Sequence, residues 1–245
     1  MLFTEIPFNK IETLFIDAGN TLISMDLEWF LKELEQCGLC STVTDLMRAE
    51  ASARPVVSSA IQKLKSTENK STSVLYIRSI LKRLPGAELI TPEGTDEIVK
   101  HMLTAVSSNG QSQRLWNNIL PGVPEALKIL KDRGFRLSVV SNSDGSVQKI
   151  LENLGLDHFF DEIFDSHIVG FEKPDPKIFT HALETCGAAA ETTVHIGDLY
   201  HVDIEGAWAA GIGAVLLDPY GDWGGYECPK FQDLLSLAEK ITGPV

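Results

Sequence analysis

The order in which apolar residues recur along the chain is the feature that most constrains its fold. A short run of β-branched and aromatic residues at 11–16 predicts a buried strand that ends in a turn at Asp17. From about residue 25 to residue 113, apolar residues recur three and four positions apart, which is typical of amphipathic helices. After Pro121, short strands alternate with helices. The pattern therefore predicts one strand, a long helical insertion and then an α/β segment.

Strands that alternate with helices form parallel sheets with helices on both faces. We therefore expect an α/β fold: a doubly wound, Rossmann-like parallel sheet with an all-helical segment inserted after the first strand. The predicted core is 1–23 together with 118–245, and the predicted insertion is 24–117. Within the second part of the core we expect helices at 124–133, 147–156, 176–186 and 204–210, and strands at 136–141, 162–167, 193–196 and 214–217.

Composition and charge exclude several classes of protein. The chain has 34 acidic and 21 basic residues and a net charge of −13, which argues against a nucleic-acid binder. An anionic substrate would need a local positive site.

The longest strongly apolar stretch, 206–217, is shorter than the roughly 20 residues that span a bilayer, and the first residues do not resemble a secretory signal. We expect a cytoplasmic protein without membrane contact. The Cys37 and Cys40 pair lacks the further ligands of a structural zinc site.

Polar residues lie where the predicted strands end, which is where open parallel sheets bind ligands. Each of them has an ordinary explanation as a helix cap, a turn former or a solvated loop residue. Their coincidence at one edge of one sheet favours chemistry, because together they supply a nucleophile, a hydroxyl group, a cation and two carboxylates. The residues are Asp17, Ser141, Asn142, Lys173, Asp198 and Asp203.

With these residues, the chain resembles the haloacid dehalogenase-like (HAD) hydrolase superfamily. The resemblance rests on four motifs in order: DAGNTL at 17–22, VVSNSDG at 139–145, GFEKPDP at 170–176 and HIGDLYHVD at 195–203. It covers the predicted core, and the helical insertion is similar in position and texture to the cap domain of that family. The resemblance implies a hydrolase, and it does not define the substrate, because one scaffold serves several chemistries.

The resemblance also implies a nucleophile and a metal site. Asp17 would attack phosphorus and form an aspartyl-phosphate. Mg²⁺ prefers oxygen ligands and retains several waters, so a few protein ligands suffice. By resemblance these would be Asp17, the carbonyl group of Gly19 and Asp198, with Asp203 either a ligand or a support for the ligands.

The same resemblance implies a phosphate site. Ser141, the amide group of Asn142 and Lys173 would hold the phosphoryl oxygens and offset the charge that develops during transfer. Lys173 would also be catalytic, because a cation beside Asp17 would keep that carboxylate ionised.

One position departs from the family pattern. Phosphatases of the family usually carry a second aspartate two residues after the nucleophile, as general acid and base, and here that position is Gly19. Asn20 cannot replace it, because an amide does not titrate. The family's dehalogenases and phosphonate hydrolases also lack this aspartate. Phosphonate hydrolysis would need a cap lysine, for which the candidates are Lys63, Lys65, Lys70 and Lys82.

These observations leave several functions open. The first is a Mg²⁺-dependent phosphatase that acts on a small phosphorylated or otherwise anionic metabolite, with slow or selective turnover, as a monomer or homodimer. The alternatives are C–P or C–halogen hydrolysis on the same nucleophile, a ligand-binding or regulatory homologue with weak catalysis, and a purely structural protein. The identity of the substrate cannot be predicted from the insertion.

Overall fold

The centre of the molecule is a parallel sheet. The computed structural model describes residues 6–64, 66–67, 70–108 and 115–243. The strands within these residues are β1 (Thr13–Ile16), β2 (Ile23–Met25), β3 (Trp116–Ile119), β4 (Arg136–Ser141), β5 (Glu162–Asp165), β6 (Thr193–Gly197), β7 (Gly213–Leu217) and β8 (Lys230–Phe231). Six of them form one sheet in the order β5-β4-β1-β6-β7-β8, and every pair in it is parallel. The predicted α/β class is confirmed.

Helices lie on both sides of this sheet and between β2 and β3. None that the structure describes is long and apolar enough to cross a bilayer. They are α1 (Leu27–Gln36), α2 (Val43–Leu64), α3 (Lys70–Leu81), α4 (Pro92–Ser108), α5 (Val123–Asp132), α6 (Val147–Asn153), α7 (Ser166–Val169), α8 (Pro176–Cys186), α9 (Glu205–Ala209) and α10 (Leu234–Thr242).

The central strand β1 is buried on both faces, which explains its uninterrupted apolar sequence. Leu14 and Ile16 face one core, which α5, α6 and α10 cover. Phe15 faces the other core, where Phe179 of α8 also packs. Because successive side chains of a strand point to opposite faces, the four residues of β1 contact the helical layers on both sides of the sheet.

Helices α1 to α4 enclose a core of their own. Phe30, Leu34, Leu46, Ile80 and Met102, one or two from each helix, are among its buried side chains. We call residues 26–115 the helical insertion. Its existence and helical character agree with the sequence expectation, and the domain boundaries at 23/24 and 117/118 remain predictions. A short antiparallel ladder between β2 and β3 lies across both boundaries.

Several elements of the fold differ from the expectation. The strand expected at 162–167 ends at Asp165, because the Asp165 carboxylate accepts a hydrogen bond from His167 N and caps the helical turn α7. The ladder of β2 and β3, strand β8 and helix α10 were not predicted. The two-residue strand β8 is too short to show a periodicity. The last helix of the α/β pattern, expected at 204–210, is the shorter α9 at Glu205–Ala209.

Candidate active site

The sheet brings the predicted residues together at the carboxyl ends of β1, β4 and β6. Asp17 directly follows β1, and its amide donates to the carbonyl group of Ile196 across the sheet at 2.9 Å. The turn that follows needs a left-handed residue at Asn20, which has φ 54°. Asparagine tolerates this conformation better than most residues. The turn fixes Asp17 at the strand end, where the order of the strands reverses on either side of β1.

Lys173 is the centre of a buried charge cluster. Only 1% of its surface is exposed, and its Nζ donates to Asp17 Oδ1 at 2.7 Å and to Asp203 Oδ1 at 2.6 Å. Ser141 Oγ also donates to Asp17 Oδ1, at 2.9 Å. The expected proximity of Lys173 and Ser141 to Asp17 is therefore present in the structure.

Asn142 holds the backbone of Lys173 in place. Its side-chain Oδ1 accepts from Lys173 N at 2.7 Å, and its Nδ2 donates to Lys173 O at 2.9 Å. The lysine itself sits in an irregular loop between α7 and α8, so this clamp supplies rigidity that secondary structure does not. The side chain of Asn142 is thus engaged with the protein, and only its backbone amide remains a candidate for binding phosphate.

Asp203 is bound through both oxygens of its carboxylate. Oδ1 accepts from Lys173 and from His195 Nε2 at 3.0 Å, and Oδ2 accepts from Leu199 N at 2.9 Å. The residue lies within a π-helical turn, Tyr200–Ile204, that precedes α9. π-Helical turns are rare and occur frequently at functional sites. These contacts favour a supporting role for Asp203 over direct ligation.

Asp198 has an oxygen that the described residues leave without a hydrogen bond. Oδ2 is buried, and the nearest cation is Arg54, whose Nε lies 3.5 Å away. Asp17, Asp198 and Asp203 each offer an oxygen within 4.8 Å of the others. Three carboxylates this close repel one another unless cations intervene, and a buried oxygen without a partner is costly.

Burial and charge move the pKa values of this cluster in different directions. Burial raises the pKa of Asp17, Lys173 lowers it and Asp203 raises it, and the net direction is upward. That Lys173 keeps Asp17 ionised stays a prediction. Burial also raises the pKa of Asp198 well above its usual value. For Asp203, the effect of burial is outweighed by Lys173 and His195, and its pKa is lowered. For Lys173, Asp17 and Asp203 outweigh burial, so its pKa is raised.

Gly19 packs against the side chain of Trp116. A Cβ atom at position 19 would lie 3.4 Å from the indole ring, which is an ordinary van der Waals contact. The backbone of Gly19 is outside the left-handed region, so the position does not require glycine for its φ angle. The absence of a side chain at position 19 is therefore not a consequence of backbone strain.

Three residues of the helical insertion belong to the site and were not predicted. Glu50 and Arg54 of α2 form a buried ion pair with Nη2–Oε2 at 2.6 Å, and Tyr76 of α3 donates to Glu50 Oε1 at 2.6 Å. Asn20 also donates to Glu50 Oε1, at 3.2 Å. The only sequence signal was the four-residue spacing of Glu50 and Arg54, which usually indicates a solvated pair on a helix surface.

The sheet, its helical insertion and the carboxylates at the strand ends together define a class of hydrolase. A family model described as haloacid dehalogenase-like hydrolase matches residues 11–211, and the chain belongs to this family.

Two relatives and one solved structure illustrate the similarity. Over 99 residues, 40% of this chain, it is 42% identical to the glyceraldehyde 3-phosphate phosphatase of Methanothermobacter thermautotrophicus and matches 44% of that protein. It is 39% identical, also over 99 residues (40% of this chain), to haloacid dehalogenase-like hydrolase domain-containing protein 3 of Mus musculus, 39% of which is matched. The chain therefore matches less than half the length of each relative. The magnesium-bound HAD-hydrolase YfnB of Bacillus subtilis shares the fold, with a TM-score of 0.64, 21% identity and coverage of 96% of this chain and 99% of that one.

The last residue of β6, Gly197, leaves room for the Asp203 carboxylate. A Cβ atom there would lie 2.2 Å from Asp203 Cγ. We expect Gly197→Ala to displace this anchored side chain and to lower the free energy of unfolding by about 1–3 kcal/mol, as overpacking typically does. Urea denaturation measures the loss. Gly225→Ala is the matched control, because none of the described residues would come within 4 Å of the new Cβ. Equal stability of the two variants would show that Asp203 is not tightly held.

Proposed function

We propose that the protein is a Mg²⁺-dependent phosphatase that transfers the phosphoryl group of a small phosphate ester to Asp17 and then to water. The observation that carries the proposal is the environment of Asp17. Within the described residues, Ser141 and Lys173 both donate to its Oδ1, which leaves Oδ2 to attack phosphorus. The phosphatase activity named for the relative in Methanothermobacter thermautotrophicus supports the same reaction class.

The residues around Asp17 have the chemistry that phosphoryl transfer requires. Lys173 carries a positive charge in a buried site, where it acts on developing negative charge more strongly than it would in water. The Asn142 backbone amide is a donor for the phosphoryl oxygens. The Ser141 hydroxyl group donates to Asp17 in the free protein and would turn to a phosphoryl oxygen when the substrate binds. Asn142 fixes the position of Lys173 through hydrogen bonds to its backbone N–H and C=O groups. Catalysis of phosphoryl transfer depends on positioning together with electrostatic stabilisation, and a rigidly held Lys173 contributes to both.

The acidic cluster fits a magnesium ion. Asp198 Oδ2 is a buried oxygen that accepts no hydrogen bond from the described residues, and Mg²⁺ prefers such oxygen ligands. Asp17, Asp198 and the carbonyl group of Gly19 would hold the ion, with Asp203 orienting Lys173. When bound, the ion would supply charge stabilisation for the phosphoryl oxygens. The magnesium in YfnB is consistent with this assignment.

The absence of a side chain at Gly19 makes turnover selective. No carboxylate stands there to protonate the leaving group or to activate water, and general acid–base assistance typically contributes about 10²–10⁴-fold. Good leaving groups need little protonation, so the first step proceeds with them. Hydrolysis of the phosphoenzyme is then the slow step.

The same absence favours one alternative, C–P or C–halogen hydrolysis on Asp17. Release of halide or of phosphonate-derived phosphate, without phosphomonoesterase activity, would establish it. A ligand-binding homologue would bind phosphate analogues and release no product.

Replacement of the nucleophile tests the covalent step. We expect Asp17→Asn to abolish phosphate release and phosphoenzyme formation, because an amide oxygen is a poor nucleophile. The fold should persist, since Lys173 keeps its bond to Asp203. Mass spectrometry of acid-quenched protein detects the phosphoryl adduct. Glu227→Gln, an exposed carboxylate outside the cluster, is the control. Full activity of Asp17→Asn would contradict the covalent mechanism.

Magnesium should stabilise the protein through the same cluster. A ligand that binds only the folded state at a hundredfold excess over its Kd contributes about 2.7 kcal/mol. For a chain of this size, that raises Tm by about 5–10 °C. Asp198→Asn should remove most of the shift, whereas Glu227→Gln should retain it. Calorimetry that detects no heat of Mg²⁺ binding, together with identical melting of both variants with and without the ion, would refute the metal assignment.

Restoring a carboxylate at position 19 tests the slow-turnover prediction. With nitrophenyl phosphate, the wild-type protein should release a burst of nitrophenol and then turn over slowly. Gly19→Asp should raise the steady-state rate by up to about 10²–10⁴-fold and shrink the burst, since the backbone and the Trp116 contact accept a Cβ. Gly225→Asp is the control at an exposed glycine. Fast wild-type turnover of alkyl phosphates without a burst would show that another residue performs the acid–base work.

A further inference from the structure

The space in front of Asp17 is polar at one end and apolar along its walls. A cavity of about 300 Å³ extends from Asp17, Ser141 and Lys173 into the helical insertion. Cavities of this size and upward hold small organic molecules. A phosphoryl group at Asp17 would therefore have the rest of its ester inside this space.

Each helix of the insertion contributes an apolar side chain to the wall. These are Phe30 from α1, Ile61 from α2, Ile77 from α3 and Val106 from α4, and Trp116 of β3 lies beside them. Phe30, Ile61 and Ile77 are almost fully buried from solvent. Part of the lining is polar, including Thr67, Thr72 and Ser73. The apolar part of the wall would not replace the hydration of a hydroxylated sugar chain.

The charges in the cavity are already paired. Among the described residues that line it, the cations are Arg54 and Lys173. Arg54 donates to Glu50 through Nε and Nη2 and lies beside Asp198, and Lys173 is bound to Asp17 and Asp203. The Tyr76 hydroxyl group donates to Glu50. These residues offer no uncommitted cation to a second phosphate group.

We propose that the substrate is a phosphate monoester of an apolar alcohol, with an alkyl or aryl group in the cavity of the insertion, in preference to a sugar phosphate. The proposal rests on the proposed phosphatase function for its phosphate end. It adds the chemical class of the leaving group, which follows from the wall of the cavity.

Binding of alkylphosphonates in the presence of Mg²⁺ tests the proposal without requiring turnover. Affinity should rise about fourfold for each added methylene from ethyl- to hexylphosphonate, as expected for burial of a CH₂ group. Hexylphosphonate should bind more tightly than ribose 5-phosphate. In parallel, hexylphosphonate should inhibit the burst of nitrophenol from nitrophenyl phosphate at lower concentrations than ethylphosphonate does.

A matched pair of variants locates the effect in the wall. Val106→Ala shortens a half-buried wall residue of α4, whereas Val99→Ala makes the same change at a residue of the same helix that is buried and does not line the cavity. Val106→Ala should lower the affinity for hexylphosphonate about tenfold, and Val99→Ala should change it less than twofold. Val106→Thr, which keeps the volume of the side chain, is the milder replacement if Val106→Ala does not fold.

The two proposals fail in different ways. Phosphate release with an affinity that is flat along the series, or a preference for ribose 5-phosphate, would overturn the apolar-substrate proposal and leave the phosphatase function in place. Affinity that rises with chain length, without phosphate release from any ester and without a phosphoenzyme, would overturn the phosphatase function instead.

Discussion

The buried ammonium group of Lys173 is the interaction on which the rest of the site depends. Removing such a charge from water costs several kcal/mol, and only close anionic partners offset that cost. Asp17 and Asp203 provide them at 2.7 and 2.6 Å. Three other features serve this arrangement: the Asn142 clamp on the lysine backbone, the π-helical turn that carries Asp203, and the missing Cβ of Gly197. The charge cluster is therefore a property of the folded sheet edge and not of any one motif.

A second buried ion pair connects the helical insertion to the same edge. Glu50 accepts a hydrogen bond from Asn20 of the turn after β1, and its partner Arg54 lies beside Asp198. The charged pair of the insertion thus contacts both the turn that carries the proposed nucleophile and one of the proposed metal ligands. Breaking a buried pair by removing one partner is strongly destabilising, typically by about 3–5 kcal/mol. The position of α2 relative to the sheet is fixed accordingly.

The sequence predicted where the polar residues would meet and, by resemblance, that Lys173 would lie beside Asp17, but not that Lys173 would also pair with Asp203. Parallel strands end at a common edge, so the positions of Asp17, Ser141, Lys173 and Asp198 followed from the alternation of strands and helices. The partnership of Lys173 with Asp203 did not, because it depends on a loop and on the space beside Gly197.

Other residues of the site cannot be told from ordinary structural residues in the sequence. His195 occupies a position within a buried strand, and Glu50 with Arg54 has the spacing of a surface ion pair. Their burial depends on how the insertion packs against the sheet, which a local pattern does not contain. The short strand β8 and the ladder of β2 and β3 are formed by tertiary pairing, and their few residues carry no periodicity of their own.

The central position of β1 has a consequence for how the chain reaches this structure. Thr13 pairs with Arg136 on one side and with Thr193 on the other, so both neighbours of the first strand lie far along the sequence. During synthesis, this apolar strand is made before its two neighbours, and both of its edges stay unpaired until β4 and β6 exist. Contacts of such long sequence separation form slowly, and unpaired apolar strands are the segments from which aggregation starts. The helices of the insertion can form from local contacts during that interval. The insertion is therefore expected to fold before β1, although β1 precedes it in the sequence.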